Sequence, residues 1–319
     1  MKFKALFLAL VLTLSSMKFA YSEEFQPKVA VAYDIGFLGD NSFNDAVNGA
    51  LSIAKKKYNL VEPFIREVPT NGTAVDRLTR LRFLARSGYT LIITVGPSYR
   101  ETVRRVSMEF PEIQFAIIND RTLGQLNISN IYFNENDGAY LAGVLAATST
   151  KRRVVGFVGS EPELLTSFTR GVKDTTSRVK VVNIPFPDEI SALRKALARV
   201  DIVYSTWDGD ASVLTTIMEN FIGRVQLISE SPDQFFASLP SAKKVILGKV
   251  EKNLVKPIDQ LIGAALSNRA IIDVLDEANG IYGREYGALN GGVKITFSSS
   301  PSTQLRFNIS KALSALRKG

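Results

Sequence analysis

The sequence predicts an α/β protein with two similar lobes, each built on a largely parallel β-sheet. Apolar, β-rich runs alternate with helical patterns along most of the chain. Several of these runs, such as LIITV and VVGFV, are apolar throughout, which is typical of strands buried on both faces of a parallel sheet. The alternation occurs twice, over about residues 28–118 and about 154–248. Two such lobes would enclose a cleft, where ligand pockets commonly lie.

The same periodicity places the individual elements. The predicted strands are residues 28–33, 62–68, 90–95, 114–118, 128–133, 154–158, 180–184, 202–205, 225–229 and 244–248. Apolar residues recur at helical spacing between them. The predicted helices are residues 42–58, 74–87, 99–109, 138–150, 163–174, 188–200, 210–220 and 250–267. Because helices alternate with the strands, we expect right-handed crossovers between parallel neighbours.

The first 22 residues have the three parts of a secretory signal peptide. Lys2 and Lys4 form a basic start, residues 5–14 are apolar, and a site with small residues ends at Ser22. The apolar run is well short of the roughly 20 residues that span a bilayer. We therefore expect cleavage after Ser22 and a mature protein in the periplasm. Because the chain has no cysteine, we expect no lipid anchor.

The composition restricts the chemistry that the chain can perform. With neither cysteine nor histidine, it lacks thiol nucleophiles, Ser-His-Asp triads and the usual zinc ligands. No glycine-rich phosphate loop follows a predicted strand, and we expect no cofactor and no metal. The 39 basic and 31 acidic residues are interspersed, without the basic and aromatic stripe of a nucleic-acid site. These features disfavour an enzyme and a nucleic-acid partner.

Residues 31–49, VAYDIGFLGDNSFNDAVNG, hold the strongest candidate binding site. A predicted strand ends at Asp34, and a turn-forming stretch leads to Phe43 and Asn44 at the start of a predicted helix. Ligands of open α/β sheets bind at the carboxyl ends of the strands. Phe43 could stack on a flat ligand and Asn44 could bind its edge. The alternatives are a turn aspartate, a core phenylalanine and a helix-capping asparagine.

Four further residues follow predicted strands and could face the same cleft. Asp120 ends the stretch FAIIND, and a pair of such carboxylates could grip vicinal hydroxyls or act as acid and base. Trp207, the single tryptophan, could close over a flat ligand or pack in a core. Asp233 and Lys252 follow later strands, and as single charges they could equally be surface residues.

Several of these segments together resemble the basic membrane protein family. These are substrate-binding proteins of ABC importers, and the best-known members bind purine nucleosides. The matching stretches are DNSFN at 40–44, FAIIND at 115–120, GAYLAG at 138–143 and VGFVG at 155–159. Weaker similarities are SPDQ at 231–234, the surroundings of Lys252, and residues 286–296.

The resemblance implies a type I periplasmic-binding-protein fold, in which two Rossmann-like lobes joined by three crossovers close on a ligand by a hinge motion. We place the N-terminal lobe at residues 23–125 and 250–280, and the C-terminal lobe at residues 126–249 and 281–319. The implied partners are a nucleoside-like ligand, an inner-membrane ABC permease and its ATPase. We expect the protein to be a monomer.

The resemblance also implies roles for the candidate residues, with a purine nucleoside in the cleft. Asp34 and Asn44 would bind the base edge, and Phe43 would stack on the base. The remaining implied contacts are Asp120 and Lys252 on the ribose, Trp207 as a second stacking ring, and Asp233 as a looser assignment.

Two departures from the family pattern leave the ligand open. Gly159-Ser160 stands where members have a glycine pair, and residues 206–210 place bulk and charge where members have a glycine-rich turn. Two alternatives therefore remain beside the nucleoside. The protein could bind another small solute, such as a sugar or an amino-acid derivative, or it could be a nucleoside-cleaving enzyme that uses its aspartates.

Overall fold

The computed structural model describes residues 27–185, 189–207 and 211–318. The predicted signal peptide lies outside these residues. The strands in chain order are β1 (Val29–Ala32), β2 (Ile65–Val68), β3 (Leu91–Val95), β4 (Gln114–Ile118), β5 (Ile128–Phe133), β6 (Val154–Val158), β7 (Lys180–Ile184), β8 (Ile202–Ser205), β9 (Gln226–Ser231), β10 (Ile246–Lys252), β11 (Asp273–Asp276), β12 (Ile281–Tyr286) and β13 (Val293–Phe297). The α-helices are α1 (Phe43–Tyr58), α2 (Ala74–Arg86), α3 (Arg100–Glu109), α4 (Glu135–Ser149), α5 (Pro162–Thr175), α6 (Ile190–Leu197), α7 (Ser212–Asn220), α8 (Val255–Leu266) and α9 (Thr303–Leu316).

The strands form two sheets, one in each lobe. The first sheet has the order β11-β12-β5-β4-β3-β1-β2 and the second has the order β13-β10-β9-β8-β6-β7. Neighbours are parallel except at β11 and β13, which pair antiparallel with β12 and β10. Strands β1 and β3 are buried along their whole length, as their apolar sequences predict. The α/β prediction with two mostly parallel sheets is confirmed.

The chain crosses between the sheets three times. It leaves the first sheet after β5, returns after β10, and leaves again after β12. The sheets therefore divide the chain differently from the expected boundaries. Residues 128–133 and 281–286, expected in the C-terminal lobe, belong to the first sheet, because β5 pairs with β4 and β12 pairs with β5.

The crossover after β10 also corrects one predicted helix. Residues 250–267 were expected to be helical, but β10 continues to Lys252 and α8 begins at Val255. Every second residue of β10 is buried, from Ile246 to Lys252, so its burial has the period of a strand. Among the described residues, no helix is long and apolar enough to cross a bilayer.

Helices α4 and α5 pack at unusually close range in the second lobe. Residues Gly138 to Ala147 of α4 are all buried, and two glycines bring its backbone against α5. A Cβ on Gly143 would lie 2.2 Å from the carbonyl oxygen of Phe168, and a Cβ on Gly171 would lie 2.0 Å from that of Tyr140. Backbone atoms meet at this crossing, so neither position has room for a side chain.

Gly171→Ala should therefore destabilise the protein by about 1–3 kcal/mol, because the helices must separate to admit the methyl group. Urea unfolding followed by circular dichroism measures the change. Gly49→Ala is the matched control, since Gly49 lies in α1 and an added Cβ would meet nothing within 4 Å. The control should be stabilised by roughly 0.5–1 kcal/mol. Equal stability of the Gly171 variant and the wild type would contradict the packing argument.

Candidate functional site

A cavity of about 290 Å³ lies at the carboxyl ends of β1, β3 and β4. Its volume is near the lower end of the roughly 300–1,000 Å³ typical of small-molecule pockets. Four of the seven predicted site residues line it: Asp34, Phe43, Asn44 and Asp233. Of the described lining residues, Asp233 alone comes from the second lobe. The cavity is thus mainly a surface of the first lobe, with the second lobe at its edge.

Asp34 lies two residues after β1 and is held by two neighbours. Its Oδ1 accepts a hydrogen bond from Arg77 Nη2 at 2.8 Å, and its Oδ2 accepts one from Ser98 Oγ at 2.5 Å. The Asp34 side chain is 28% exposed, whereas that of Arg77 is 10% exposed. Arg77 therefore supports the carboxylate from behind and leaves it accessible from the cavity. The arrangement fixes an acceptor at the strand end.

Asn44 organises the loop that carries Asp34. Its Oδ1 accepts a hydrogen bond from the Asp34 backbone N–H at 3.1 Å, and its Nδ2 donates to the carbonyls of Asp34 and Ile35. Both amide protons are therefore in use, so the structure gives Asn44 a positioning role. Asp40 caps the start of α1, accepting backbone N–H bonds from Ser42, Asn44 and Asp45.

Phe43, Asp233 and Lys252 form one group at the boundary between the lobes. The Lys252 ammonium forms ion pairs with Asp233 and, at 2.5 Å, with Glu135. It also lies 5.4 Å from the centroid of the Phe43 ring, within the range of a cation–π contact. The Lys252 side chain is only 3% exposed, so its charge is committed to these partners. Asp233 Oδ2, in contrast, is buried and has no hydrogen-bond partner.

A third acid, Glu230, lies near this lysine, and the three acids together set its protonation. Burial by itself lowers the pKa of Lys252, but the charges of Asp233, Glu135 and Glu230 outweigh this effect and raise it overall. Burial, reinforced by the charge of Asp233, raises the pKa of Glu230 well above its usual range. Glu230 accepts a hydrogen bond from the fully buried Tyr204 hydroxyl. The group therefore holds a protonated lysine whose ammonium is stabilised mainly by Asp233 and Glu135.

Asp120 does not line the cavity. Its Oδ2 is held by the Arg100 guanidinium, with Nε at 2.7 Å, and its Oδ1 accepts bonds from the Thr122 N–H and hydroxyl. The preceding residue, Asn119, lines the cavity instead. Asn119 has a left-handed backbone, with φ at 63°, a conformation in which asparagine is enriched. Of these two adjacent residues, Asn119 therefore contributes to the cavity and Asp120 does not.

Trp207 lies at the end of the segment after β8 and is half-buried. Its carbonyl accepts a hydrogen bond from Gln234 Nε2 at 3.0 Å, which ties this segment to the one after β9. Its ring is not among the described cavity-lining groups. The stacking role therefore stays a prediction. Of residues 206–210, where the sequence departs from the family pattern, the structure describes Thr206 and Trp207.

The sequence reasoning missed cavity residues that follow β3 and β4. Gly96 and Pro97 follow β3, and Asn119 follows β4. The rule that selected Asp34 and Asp120, a polar or turn residue directly after a buried strand, applies equally to these positions. Among the described residues, no group of three or more acidic side chains is arranged to hold a metal ion.

One direct hydrogen bond joins the two sides of the cleft. Ser42, just before α1, donates from Oγ to the carbonyl of Pro232 at 2.7 Å. Pro232 immediately precedes Asp233, so the contact holds the second-lobe acid beside the first-lobe aromatic ring. The carboxyl-end edges of both sheets thus meet around Phe43 and Asp233.

The sequence around this site is similar to a known protein family. The family model described as ABC transporter substrate-binding protein PnrA-like matches residues 27–184. The match covers 158 of the 319 residues, and over this stretch the chain is similar to that family. The match covers both sides of the first crossover and most of the cavity-lining residues, and it confirms the resemblance to basic membrane proteins. Proteins of this family are substrate-binding components of ABC transporters.

Curated relatives cover the same part of the chain. A CD4+ T-cell-stimulating antigen of Listeria monocytogenes is 30% identical over 190 residues, which are 56% of this chain and 51% of that protein. The ABC transporter nucleoside-binding protein BmpA of Lactococcus lactis is 27% identical over 186 residues, 57% of this chain and 53% of that protein. The chain thus spans about half the length of the curated relatives it matches.

The fold similarity extends over almost the whole chain. An ABC transporter solute-binding protein from Conexibacter woesei superposes with a TM-score of 0.71 at 18% identity, covering 92% of this chain and 97% of that one. At this identity the likeness establishes the fold. The two-lobed periplasmic-binding-protein architecture expected from the sequence is therefore confirmed.

Proposed function

We propose that this protein is the binding component of an ABC importer and that it holds a purine nucleoside in the cleft between its lobes. The observation that carries the proposal is that one cavity is lined both by Phe43 and by Asp233, whose buried Oδ2 has no hydrogen-bond partner. An aromatic face suits a flat heterocycle. A buried carboxylate oxygen without a donor favours a ligand that supplies an N–H or O–H group.

The charges around the cavity support an uncharged ligand. Asp34, Asp40 and Asp233 line it, and no basic side chain is among the described lining residues. The nearby cations, Arg77 and Lys252, are already paired with Asp34, Asp233 and Glu135. A phosphate group in this cavity would meet carboxylates without a free cation to offset them. A nucleoside fits this chemistry, whereas a nucleotide does not.

Transport would require the lobes to close on the ligand. The second lobe supplies one described lining residue, so a bound nucleoside would still expose one face of its base. Rotation about the three crossovers would bring the second lobe over that face, and Trp207 is the aromatic residue placed on the segment that follows β8. Closure would exclude water and present a distinct form to the permease.

Isothermal titration calorimetry on the purified mature protein tests the proposal. We expect saturable binding of adenosine, guanosine or inosine, with much weaker binding of the corresponding monophosphate and of ribose alone. The monophosphate should lose affinity because its charge meets the acidic wall, and ribose should lose the stacking that contributes about 1–3 kcal/mol.

Two results would redirect this assignment. Binding of ribose with the same affinity as the nucleoside would indicate a sugar-binding protein on the same fold. Release of free base during the titration, detected by chromatography, would indicate a nucleoside-cleaving enzyme. Absence of heat with all three nucleosides, on protein shown to be folded by circular dichroism, would refute the nucleoside assignment.

A further inference from the structure

The loops that precede the parallel strands of the second sheet lie together at the amino ends of those strands, on the side of the sheet away from the cleft. Backbone hydrogen bonds join these loops directly. The Lys180 N–H donates to the Arg153 carbonyl at 2.9 Å, and the Gln226 N–H donates to the Asp201 carbonyl at 2.9 Å. The loops before β6, β7, β8 and β9 therefore form one continuous surface. We call this surface, residues 150–153, 176–179, 198–201 and 221–225, the basic pole.

The basic pole carries a strong excess of positive charge. Its only acidic residue is Asp201, whose carboxylate accepts hydrogen bonds from the Thr150 hydroxyl and from the Lys151 and Arg152 N–H groups. These hydrogen bonds to Asp201 fix the conformation of the loop at residues 150–153. The basic residues of the pole, all exposed, are Lys151, Arg152, Arg153, Arg178, Arg199 and Arg224.

Neighbouring elements extend the charge beyond the pole. Lys180 begins β7, and Lys243 and Lys244 end the short helix before β10, and all three are exposed. The last turns of the preceding helices carry charges of both signs: Lys173, Arg194 and Lys195 against Asp174 and Glu219. The positive excess is thus a property of the whole amino-end face of the second sheet.

The equivalent face of the first lobe lacks this positive excess. Its loops contain Glu62, Glu112 and Glu277. Basic residues at the ends of the preceding helices offset these acids, so this face is close to balanced in charge. The two lobes therefore differ in the charge of this face, which is positive in the second lobe and close to neutral in the first.

We propose that the basic pole docks the protein on an anionic phospholipid surface. Basic clusters are attracted to such surfaces electrostatically, with each lysine or arginine contributing. Ile222, next to the cluster, is 53% exposed and offers an apolar side chain to the headgroup region. A nucleic acid is less suited, because the pole's one aromatic residue, Phe221, is buried and cannot stack on bases.

The position of the pole keeps the contact compatible with solute binding. The cavity lies at the carboxyl ends of the strands, and the basic pole lies at the amino ends of the second sheet. A protein held by this pole would keep its cleft open to solution. It would also remain concentrated at the membrane, whichever solute it binds, so the inference does not depend on the proposed ligand.

Co-sedimentation with lipid vesicles tests the proposal. The wild type should sediment with vesicles containing about one-third phosphatidylglycerol, and not with phosphatidylcholine alone, at an ionic strength of about 0.01 M, where the Debye length is about 30 Å. It should be released near 1 M, where that length is about 3 Å. The variant Lys151→Glu/Arg178→Glu/Arg199→Glu should lose at least about tenfold in vesicle affinity.

The matched control is Lys56→Glu/Arg86→Glu/Arg269→Glu, which makes the same change in net charge at exposed positions of the first lobe. It should keep most of the vesicle binding, and circular dichroism should show that both variants are folded. Equal losses in the two variants, or no binding by the wild type, would overturn the proposal. Retention on duplex DNA that the pole variant loses, without vesicle binding, would also overturn it, in favour of a nucleic-acid partner.

Discussion

Replacing Lys252 with methionine should lower the free energy of unfolding by about 3–5 kcal/mol, because it removes the cation from a buried group of carboxyls. Asp233, with a side chain only 6% exposed, and the half-buried Glu135 would then face each other without a countercharge. Glu230 lies in the same group, where the charge of Lys252 lowers its pKa against the larger opposing effects of burial and of Asp233. Methionine keeps the length of the side chain, so the loss would come from charge rather than from a cavity.

The pH range of this effect follows from the direction of the lysine pKa. Because the pKa of Lys252 is raised in the folded protein, its stabilisation is fully present below the ordinary pKa of lysine. That stabilisation is lost only as the pH rises through the raised value. The full effect of the substitution should therefore be seen near pH 7.

Urea unfolding of the two proteins at neutral pH measures this difference. Lys294→Met is the matched control, since Lys294 pairs with Glu251 at 3.5 Å and its side chain is 50% exposed. The control should show only a small fraction of the effect, because water already solvates both charges. The double variant Lys252→Met/Asp233→Asn should regain part of the stability. A Lys252 variant as stable as the control would show that the group is not held by its lysine.

Asp233→Asn should weaken ligand binding by roughly 10- to 150-fold, equivalent to the about 1.5–3 kcal/mol of a hydrogen bond to a charged group. In the wild type, Oδ2 of Asp233 is buried without a hydrogen-bond partner, and on the proposed function it accepts a hydrogen bond from the ligand. Asparagine has nearly the same shape but would present either a neutral oxygen or an N–H group at that point. The ammonium of Lys252 would retain Glu135 as a partner, so the fold should tolerate this change.

Calorimetric titration of the variant with the nucleoside that binds the wild type best provides the test. Asp259→Asn is the control, because Asp259 pairs with Lys57 on the first lobe and does not line the cavity. The control should bind with wild-type affinity. Unchanged affinity of the Asp233 variant would remove this carboxylate from the ligand contacts, and the ligand would then have to be held mainly from the first lobe.

The elements that sequence alone identified are those with strong local patterns. Strands β4, β5, β6, β7 and β8 have the predicted limits, because their apolar runs and flanking helices leave little ambiguity. Strands β11, β12 and β13 escaped prediction, as did helix α9. Only two residues of α9, Leu305 and Ala312, are buried, so its apolar pattern is weak.

The sequence pattern near the crossover after β10 was also ambiguous between strand and helix. The run from Val250 to Lys252 alternates like a strand but lies next to the helical pattern of α8, and sequence periodicity joined the two. Pairing with β9 and β13 decides that these residues are extended. Because those partners lie far away in sequence, no local signal could reveal the pairing.

The candidate site also combines features that the sequence predicts with features that only the tertiary structure sets. The sequence by itself determined that polar residues collect at the carboxyl ends of buried strands, and it selected Asp34, Phe43, Asn44 and Asp233, which the fold brings to one cavity. Only the tertiary structure decided which of two adjacent residues lines that cavity. Asn119 does, whereas the Asp120 carboxylate is bound by Arg100 and does not line it. It also decided that Lys252 pairs with Glu135 and Asp233. The periodicity of strands and helices depends on residues that are neighbours in sequence. The direction and charge state of a side chain depend instead on partners that only folding brings near.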